Sequence, residues 1–267
     1  MKTKQQLLLD FKKMNKVAKL KRALKNGYSD VASYMAFLSA PIVETGSGAL
    51  PLPSKKEKKL PTTSAILVIH VVDILDASGS MNGEKLNAAI KGINKGIAEL
   101  NDTRVKYTYT LCEFSNNSNF PHVMVDPITV PKINLRARSM TALYDAIGFT
   151  IDKIKKSVKE GEKVLVNIYT DGQENASHRF NAYQIENLIT AQSRIGYTFT
   201  FIGTQRDVDY MKQRLSIHAS NTLVYDGTGK DLDKSFVANS TARMAYTNSV
   251  VKGEDVSKGF YKNINKK

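Results

Sequence analysis

The sequence lacks the features of several protein classes. It has a single cysteine, Cys112, among 267 residues, so no intramolecular disulfide framework can form and a reducing compartment is expected. No apolar run approaches the roughly 18–20 residues that a membrane span needs. Near the N-terminus the apolar cluster is limited to Leu7-Leu8-Leu9, which does not make a secretory signal. These absences predict a cytoplasmic or otherwise intracellular protein with no membrane span.

Catalytic signatures are also scarce. No Gly-x-Ser-x-Gly elbow surrounds Ser78 or Ser80, and the 4 histidines offer no obvious base by their spacing. The segment DGTGKD near Lys230 lacks the first glycine and the final Ser/Thr of a phosphate loop. An enzyme that used Asp76 as a phosphoryl acceptor would want a second aspartate where Ser78 stands. The sequence therefore gives no positive support for an enzyme.

Positive charge is concentrated in the N-terminal segment. Residues 1–60 hold 13 Lys and Arg against 4 acids, whereas the remaining 207 residues hold 26 against 21. This asymmetry predicts an acidic partner for the N-terminus, which could be nucleic acid, an anionic surface or an acidic protein. A well-solvated helix face would give the same composition, and both interpretations stay open.

Residues 1–62 are predicted to form a basic N-terminal extension. Apolar residues between positions 3 and 25 follow a helical stripe, and most lysines lie off it. Asp30–Leu38 fits a second short helix. Residues 41–63 are rich in Pro, Gly, Ser and Lys, as in a linker or an extended, partner-bound arm. We therefore place a domain boundary near residue 62.

Strand-like and helix-like segments alternate over residues 63–250. The alternation predicts an α/β fold, with a doubly wound, mostly parallel central sheet, helices on both faces, and a C-terminal tail over residues 251–267. The predicted strands are Ala65–Leu75, Arg104–Phe114, His122–Val130, Lys163–Tyr169, Tyr197–Ile202 and Thr222–Tyr225. The predicted helices are Gly83–Leu100, Ala142–Val158, Ala182–Arg194, Asp207–Leu215 and Leu232–Asn248.

Small oxygen donors lie at three boundaries between these segments. The first strand ends in Asp76, Ser78 and Ser80, Thr141 stands just before a helix, and Asp171 follows the strand KVLVNIY. In open α/β sheets, ligands bind where strands end and helices begin. Carboxylates and neutral hydroxyls favour Mg²⁺, Mn²⁺ or Ca²⁺ over softer metals. These five residues are therefore the candidate metal ligands.

Several of these polar residues also have simpler explanations. Ser80 or Asn82 could cap the following helix, and Asp171 with the next glycine could form a turn. His70 and Asp73 interrupt the first strand and are predicted to be hydrogen-bonded structural residues. Caps and turns alone do not explain why five ligand-type residues gather at three segment ends.

The three-part pattern resembles a von Willebrand factor type A domain over roughly residues 63–250. It consists of Asp76-x-Ser78-x-Ser80, the threonine of TALYDAI, and TDGxEN after the next strand. The resemblance implies a divalent cation at a metal-ion-dependent adhesion site (MIDAS). Ser78, Ser80 and Thr141 would offer hydroxyls, Asp76 and Asp171 would hold the ion largely through water, and a partner's carboxylate would complete the coordination. The flanking residues expected to form a partner-binding rim are Met81, Asn82, Arg138, Met140 and Gln173.

The chain departs from the family just before Thr141. Many members have glycine there, where this sequence has Arg138-Ser139-Met140. Bulkier residues would narrow the site, and Arg138 would repel the metal or attract a ligand's acid. The segments YTDGQENASHRF and YTFTFIGTQRDVDYM are similar to a branch of small bacterial and phage von Willebrand A proteins.

The leading hypothesis is a non-catalytic binding module. It would use its cation to grip an acidic side chain of a protein partner, with the basic arm as a second contact, in a cellular complex or as a virion component. The alternative is a nucleic-acid-associated protein whose Lys-rich arm binds phosphates, with the A domain as scaffold. An enzyme is the third possibility.

Overall fold

The computed structural model describes residues 66–264, and the predictions for residues 1–62 lie outside this range. A six-stranded sheet forms its centre, in the order β3-β2-β1-β4-β5-β6, with β3 antiparallel to β2 and every other pair parallel. The strands are β1 Leu67–Asp76, β2 Val105–Phe114, β3 Ser118–Val125, β4 Lys163–Tyr169, β5 Tyr197–Gly203 and β6 Thr222–Val224. The α-helices are α1 Glu84–Ala98, α2 Leu143–Ile154, α3 Ala182–Ser193, α4 Gln205–Arg214 and α5 Gly229–Val251.

The predicted alternation of strands and helices is confirmed, and β3 is the strand that differs most. We predicted a strand over His122–Val130, but the chain pairs over Ser118–Val125 and then forms a short 3-10 helix, Pro127–Thr129. Pro121 lies inside β3 although proline has no backbone N–H to donate. The sheet tolerates it there because β3 is an edge strand, and the backbone groups on its outer side have no neighbouring strand to bond with. Pro121 is therefore part of the strand, whereas our predicted strand began at the residue after it.

The sheet separates two apolar layers, and alternate residues of β1 face opposite layers. Ile69, Val71 and Leu75 pack with α1 and α5, whereas Val72 and Ile74 pack with α2, α3 and α4. This arrangement covers both faces of β1, as its nearly continuous apolar sequence predicts. The central strands are consequently rigid supports for whatever lies at their ends.

Two polar residues interrupt β1, and both are hydrogen-bonded inside the fold. Asp73 accepts hydrogen bonds from the Tyr109 hydroxyl and the Asn167 amide, each at 2.9 Å. His70 contacts the Thr108 hydroxyl at 2.6 Å. Burial raises the pKa of Asp73, and the hydrogen bonds it accepts oppose that shift. The structural role predicted for both residues is confirmed.

Two observations within the described range concern the single cysteine and the apolar length of the helices. Cys112 is buried in β2, and burial raises the pKa of its thiol to about 12, so it stays protonated and unreactive at neutral pH. None of the described helices is both long enough and apolar enough to cross a membrane.

The residues after α5, in the segment predicted as a C-terminal tail, pack against the domain as far as residue 264. Val256, Phe260 and Tyr261 are buried against the layer formed by α1 and α5. The Tyr261 hydroxyl donates a hydrogen bond to the side-chain oxygen of Asn239 at 2.6 Å. These contacts join residues without local periodicity to the helix that precedes them, so the sequence pattern did not reveal them.

Close packing between α1 and α5 depends on Gly92, which gives the first testable prediction. A Cβ at Gly92 would lie 2.1 Å from Phe236 Cγ, whereas at Gly96 the nearest atom is a terminal nitrogen of the Arg243 side chain, at 3.1 Å. Gly92→Ala is expected to destabilise the fold by about 1–3 kcal/mol through overpacking. Gly96→Ala should be nearly neutral or stabilising, because alanine favours a helix interior over glycine by about 1 kcal/mol.

Urea unfolding of both variants measures this difference. Since the two substitutions are identical and lie in one helix, their comparison isolates the packing contribution. A Gly92→Ala protein as stable as the Gly96→Ala protein would contradict the assigned contact.

Candidate metal centre

The candidate site lies at the carboxyl ends of β1 and β4. These strands are neighbours at the centre of the sheet, where the strand order reverses and α/β folds form a ligand crevice. Their register pairs Leu75 with Tyr169, so the next residues, Asp76 at the end of β1 and Thr170 just after β4, lie side by side. The fold therefore brings together two of the three sequence segments predicted to supply ligands.

Asp76 is fully buried, and each of its carboxylate oxygens accepts a hydrogen bond. Oδ1 accepts from the Ser78 backbone N–H at 2.6 Å, and Oδ2 accepts from the Thr170 hydroxyl at 2.5 Å. Burial raises the pKa of Asp76 to about 6, and the hydrogen bonds from Thr170 and Ser78 oppose the shift. The carboxylate is held in one orientation, and its negative charge is costly unless a cation compensates it.

Ser78 and Ser80 place two hydroxyls beside each other. Their Oγ atoms lie 3.0 Å apart and share a hydrogen bond, with Ser78 buried and Ser80 exposed at the surface. Neither Ser80 nor Asn82 caps α1, because the residue that precedes the helix is Gly83, which has φ +84° and forms no side-chain cap. The capping interpretation is therefore wrong for both residues.

Thr141 is positioned by the segment that follows β4. Its backbone N–H donates to Asn175 Oδ1 at 3.0 Å, and its carbonyl oxygen accepts from the Asn175 N–H at 3.0 Å. A Cβ at Gly172 would lie 2.7 Å from Thr141 Oγ1 and 3.1 Å from Asp76 Oδ2. The threonine hydroxyl and the Asp76 carboxylate thus border one small space that the missing side chain of Gly172 leaves open.

Asp171 supplies the second carboxylate, and its two oxygens have different surroundings. Oδ2 forms an ion pair with the ammonium group of Lys85, while Oδ1 is buried without a hydrogen-bond partner in the described part of the chain. The Tyr225 hydroxyl is a second buried atom of this kind. Burial raises the pKa of Tyr225, and the charges of Asp171, Asp207 and Asp76 raise it further, so its hydroxyl lies close to this group of acids. Unpaired buried oxygens are uncommon in proteins, and an unpaired carboxylate oxygen close to a second carboxylate fits a bound cation.

The donor set fits a hard divalent cation. Two buried carboxylates would balance its charge, and neutral hydroxyls would add oxygen ligands without repulsion. Residues 66–264 contain no group of three or more His, Cys, Asp or Glu that could hold a metal ion by themselves. The five residues predicted from the sequence stay the candidate ligands within that range: Asp76, Ser78, Ser80, Thr141 and Asp171.

Four of the five predicted rim residues lie at the surface. Asn82, Arg138, Met140 and Gln173 are exposed. Met81 is only 1% exposed and packs in the apolar core, so its assignment to the rim is wrong. Met81 is the last residue of the short 3-10 helix Gly79–Met81 and the buried residue of that helix.

A groove of about 250 Å³ borders the candidate site. Ala77, which lies between two predicted ligands, forms part of its wall together with Arg136, Arg138 and Glu113. The backbone N–H of Arg138 donates to the Ala77 carbonyl at 2.7 Å, which ties the arginine loop to the end of β1. Cationic side chains therefore extend the candidate site along the surface.

Several residues at the site were not predicted to contribute to it. Glu174 accepts hydrogen bonds from the backbone N–H groups of Tyr144, Ala176 and Ser177, so it joins the segment after β4 to the first turn of α2. Glu174 belongs to TDGxEN, and its place in that motif could have indicated a role. Lys85 had no comparable signal, because its partner lies 86 positions away in the chain. The other residues outside the predicted set of ligands are Thr170 and Asn175, which also belong to TDGxEN, and Tyr225.

Solved structures establish the fold, although no protein-family model and no curated protein sequence matches the chain. The vWF domain of the type V pili tip protein Mfa5 from Porphyromonas gingivalis has a TM-score of 0.53 at 10% identity, and the match covers 68% of this chain and 97% of that domain. Proximal thread matrix protein 1 from the mussel byssus has a TM-score of 0.50 at 14% identity, with coverage of 64% of this chain. The chain spans 45% of the length of that mussel protein. Together with the doubly wound sheet, these matches show that the described domain has the fold of a von Willebrand factor type A domain.

Proposed function

We propose that residues 66–264 form a non-catalytic protein-binding module that holds a divalent cation and uses it to bind a carboxylate of a partner. One observation carries this proposal: where β1 and β4 end, the buried Asp76 carboxylate borders the same small space as the Thr141 hydroxyl, and one oxygen of the nearby Asp171 carboxylate has no partner in the described residues. A bound cation would satisfy that oxygen and compensate both charges.

The chain's own residues prepare the site for a hard cation, for which we propose Mg²⁺, with Mn²⁺ or Ca²⁺ as substitutes. Thr170 and the Ser78 backbone orient Asp76, and Asn175 holds Thr141. Because Gly172 has no side chain, the space beside the Thr141 hydroxyl and the Asp76 carboxylate stays open. When bound, the ion would supply a centre of positive charge that attracts an acidic ligand.

Binding is favoured over catalysis by the surroundings of the two serines. The Ser78 hydroxyl is hydrogen-bonded to the Ser80 hydroxyl, so the interaction seen at this serine is not one with a general base. His178 is exposed on its loop, and the contact found for it is a backbone hydrogen bond to Asp145. A nucleophile with an oriented base is the arrangement that hydrolysis would need.

The partner we propose is an acidic protein segment within a macromolecular assembly. Arg136 and Arg138 beside the groove would attract acids next to the one that contacts the cation. The structural neighbours are a pilus tip protein and a thread matrix protein, and both names describe components of assemblies. For this chain we propose an intracellular complex or a phage particle, with the basic segment 1–62 as a second contact.

Affinity capture tests the proposal directly. The full chain should capture a protein partner in Mg²⁺ and lose it in EDTA at constant ionic strength. Asp76→Ala should lose the partner in both buffers, while Asp152→Asn, an exposed surface substitution, should retain it in Mg²⁺. A partner that remains bound in EDTA, or that Asp76→Ala binds as well as wild type, would contradict metal-dependent binding.

The charge of the N-terminal segment supports a second candidate, association with nucleic acid. Duplex DNA binding through lysines should weaken with log[salt] by about 0.9 per phosphate neutralised, and it should be insensitive to EDTA and to Asp76→Ala. Metal-dependent protein binding should show the opposite sensitivities. Salt and chelator titrations of the full chain therefore distinguish the two candidates.

Gly172→Ala is expected to weaken Mg²⁺ binding by about 10–100-fold, the range typical of groups that support metal ligands. The added methyl group would displace the Thr141 hydroxyl, and Gly172 lacks the positive φ that would strain any side chain. Isothermal titration with Mg²⁺ measures the change. Gly96→Ala is the control, and equal affinities for both variants would show that the space beside Gly172 is not part of the site.

A further inference from the structure

Lys85 lies within the candidate metal site although it cannot be a metal ligand. It belongs to the first turn of α1, and its ammonium group forms an ion pair with Asp171 Oδ2. The Lys85 side chain is 23% exposed, and the Asp171 side chain is 4% exposed. This contact is largely buried, unlike the exposed ion pair that Lys91, also on α1, forms with Asp233 of α5.

The position of Lys85 is unfavourable for α1 itself. The N-terminus of a helix carries partial positive charge, so a cation in the first turn is repelled. Lys85 is compensated by a tertiary contact with Asp171, one of the two carboxylates that we assign to the divalent cation. In this structure the Asp171 carboxylate is therefore paired with a cation of the chain itself, the Lys85 ammonium group.

We propose that Lys85 is a built-in competitor of the divalent cation, an inference that rests on the proposed function. In the metal-free protein its ammonium group neutralises Asp171. A divalent cation bound by Asp171 would repel the ammonium group at close range, where charge–charge interactions are strong because water is largely excluded. Lysine has a long flexible stem and a solvent-accessible side, so the group can swing away when the ion binds.

This competition would couple the cation to the partner. Displacing Lys85 lowers the affinity of the cation for the free protein. A partner carboxylate would restore this affinity. It would do so by adding a negative ligand to the cation or by pairing with the displaced ammonium group. Because such coupling is reciprocal, the partner would also bind better when the cation is present. Lys85 would thereby keep the site weak until an acidic ligand arrives.

Isothermal titration of the full chain with Mg²⁺ and with Mn²⁺ tests the inference. Lys85→Met keeps an unbranched stem and removes the charge, so it is expected to bind both ions about tenfold or more tightly than wild type. Lys91→Met removes one positive charge from an exposed position of the same helix and should bind like wild type. Equal or weaker binding by Lys85→Met would overturn the proposed competition.

The two proposals fail in distinguishable ways. If wild type and Lys85→Met bind Mg²⁺ equally and Asp76→Ala does not bind it, the metal site stands and the role of Lys85 is wrong. If neither wild type nor Lys85→Met binds a divalent cation, the proposed metal-dependent function fails together with the inference.

A measurement on the wild-type protein avoids dependence on the folding of a variant. Trace acetylation of lysines, quantified by peptide mass spectrometry, should increase at Lys85 when saturating Mg²⁺ replaces EDTA, because the ammonium group leaves Asp171. Labelling of Lys91 should not change. Unchanged labelling of Lys85 at saturating Mg²⁺ would show that the ion does not displace it.

Discussion

Asp76→Ala is expected to abolish the stabilisation that a divalent cation gives to the folded protein. A ligand at about 100 times its dissociation constant adds roughly 2.7 kcal/mol to the free energy of unfolding. For a domain of this size that increase corresponds to a rise in melting temperature of about 5–10 °C. Because Asp76 is buried at the centre of the candidate site, its replacement removes a negative charge and an oriented oxygen ligand from the cation.

Thermal unfolding in EDTA and then in Mg²⁺ or Mn²⁺ measures this response. Asp171→Ala should behave like Asp76→Ala, whereas Asp152→Asn, an exposed position on α2, should respond like wild type. The quantity compared is the change in melting temperature that added metal causes in each protein. A variant whose metal-free form is less stable than wild type can therefore still be compared with it. An identical shift in wild type and Asp76→Ala would show that the ion binds elsewhere.

The metal-free protein is expected to lose up to about 3 kcal/mol of stability relative to Asp76→Asn as the pH rises from about 4 to 7. Burial raises the pKa of Asp76 from 3.8 to about 6, so the folded chain favours the protonated carboxyl group. Each pKa unit is worth about 1.4 kcal/mol. The stabilisation is complete below the unfolded pKa and is lost as the pH passes through the folded pKa near 6.

Urea unfolding in EDTA across this pH range gives the difference between wild type and Asp76→Asn. Other carboxyl groups titrate in both proteins, so subtracting one profile from the other leaves the contribution of Asp76. The same substitution at exposed Asp209 should not reproduce the loss, because hydrogen bonds from Gln205 and Lys212 lower the pKa of that residue. A difference that is constant with pH would contradict the buried, uncompensated carboxylate.

The sheet and its helices could be predicted because their signals lie within single segments. Strand Lys163–Tyr169 was predicted with its observed limits, since it is an apolar run bounded by Gly-Glu on one side and Thr-Asp-Gly on the other. The α-helices followed from apolar residues at helical spacing and differ from the predictions by a few residues at their ends. Strand β3 was misplaced because the effect of Pro121 depends on whether its strand lies at an edge, which is a property of the whole sheet.

The candidate ligands were found from the sequence because the order of strands and helices brings the carboxyl ends of neighbouring strands together. Asp76, Ser78 and Ser80 end β1, and Asp171 follows the neighbouring strand, so topology places them at one edge. Met81 was misassigned because proximity in sequence to Ser80 does not reveal which way a side chain points. The direction depends on the short 3-10 turn that contains it.

Segment-level patterns in the sequence were therefore sufficient for the fold class and the candidate ligands. Three features depended on tertiary structure: the ion pair between Lys85 and Asp171, the unpaired Asp171 oxygen, and the space kept open by Gly172. The physical reason is the range of the interactions. Periodicity and propensity act within one helix or strand, whereas charge pairing, burial and steric fit depend on atoms that the folded chain brings together from distant positions.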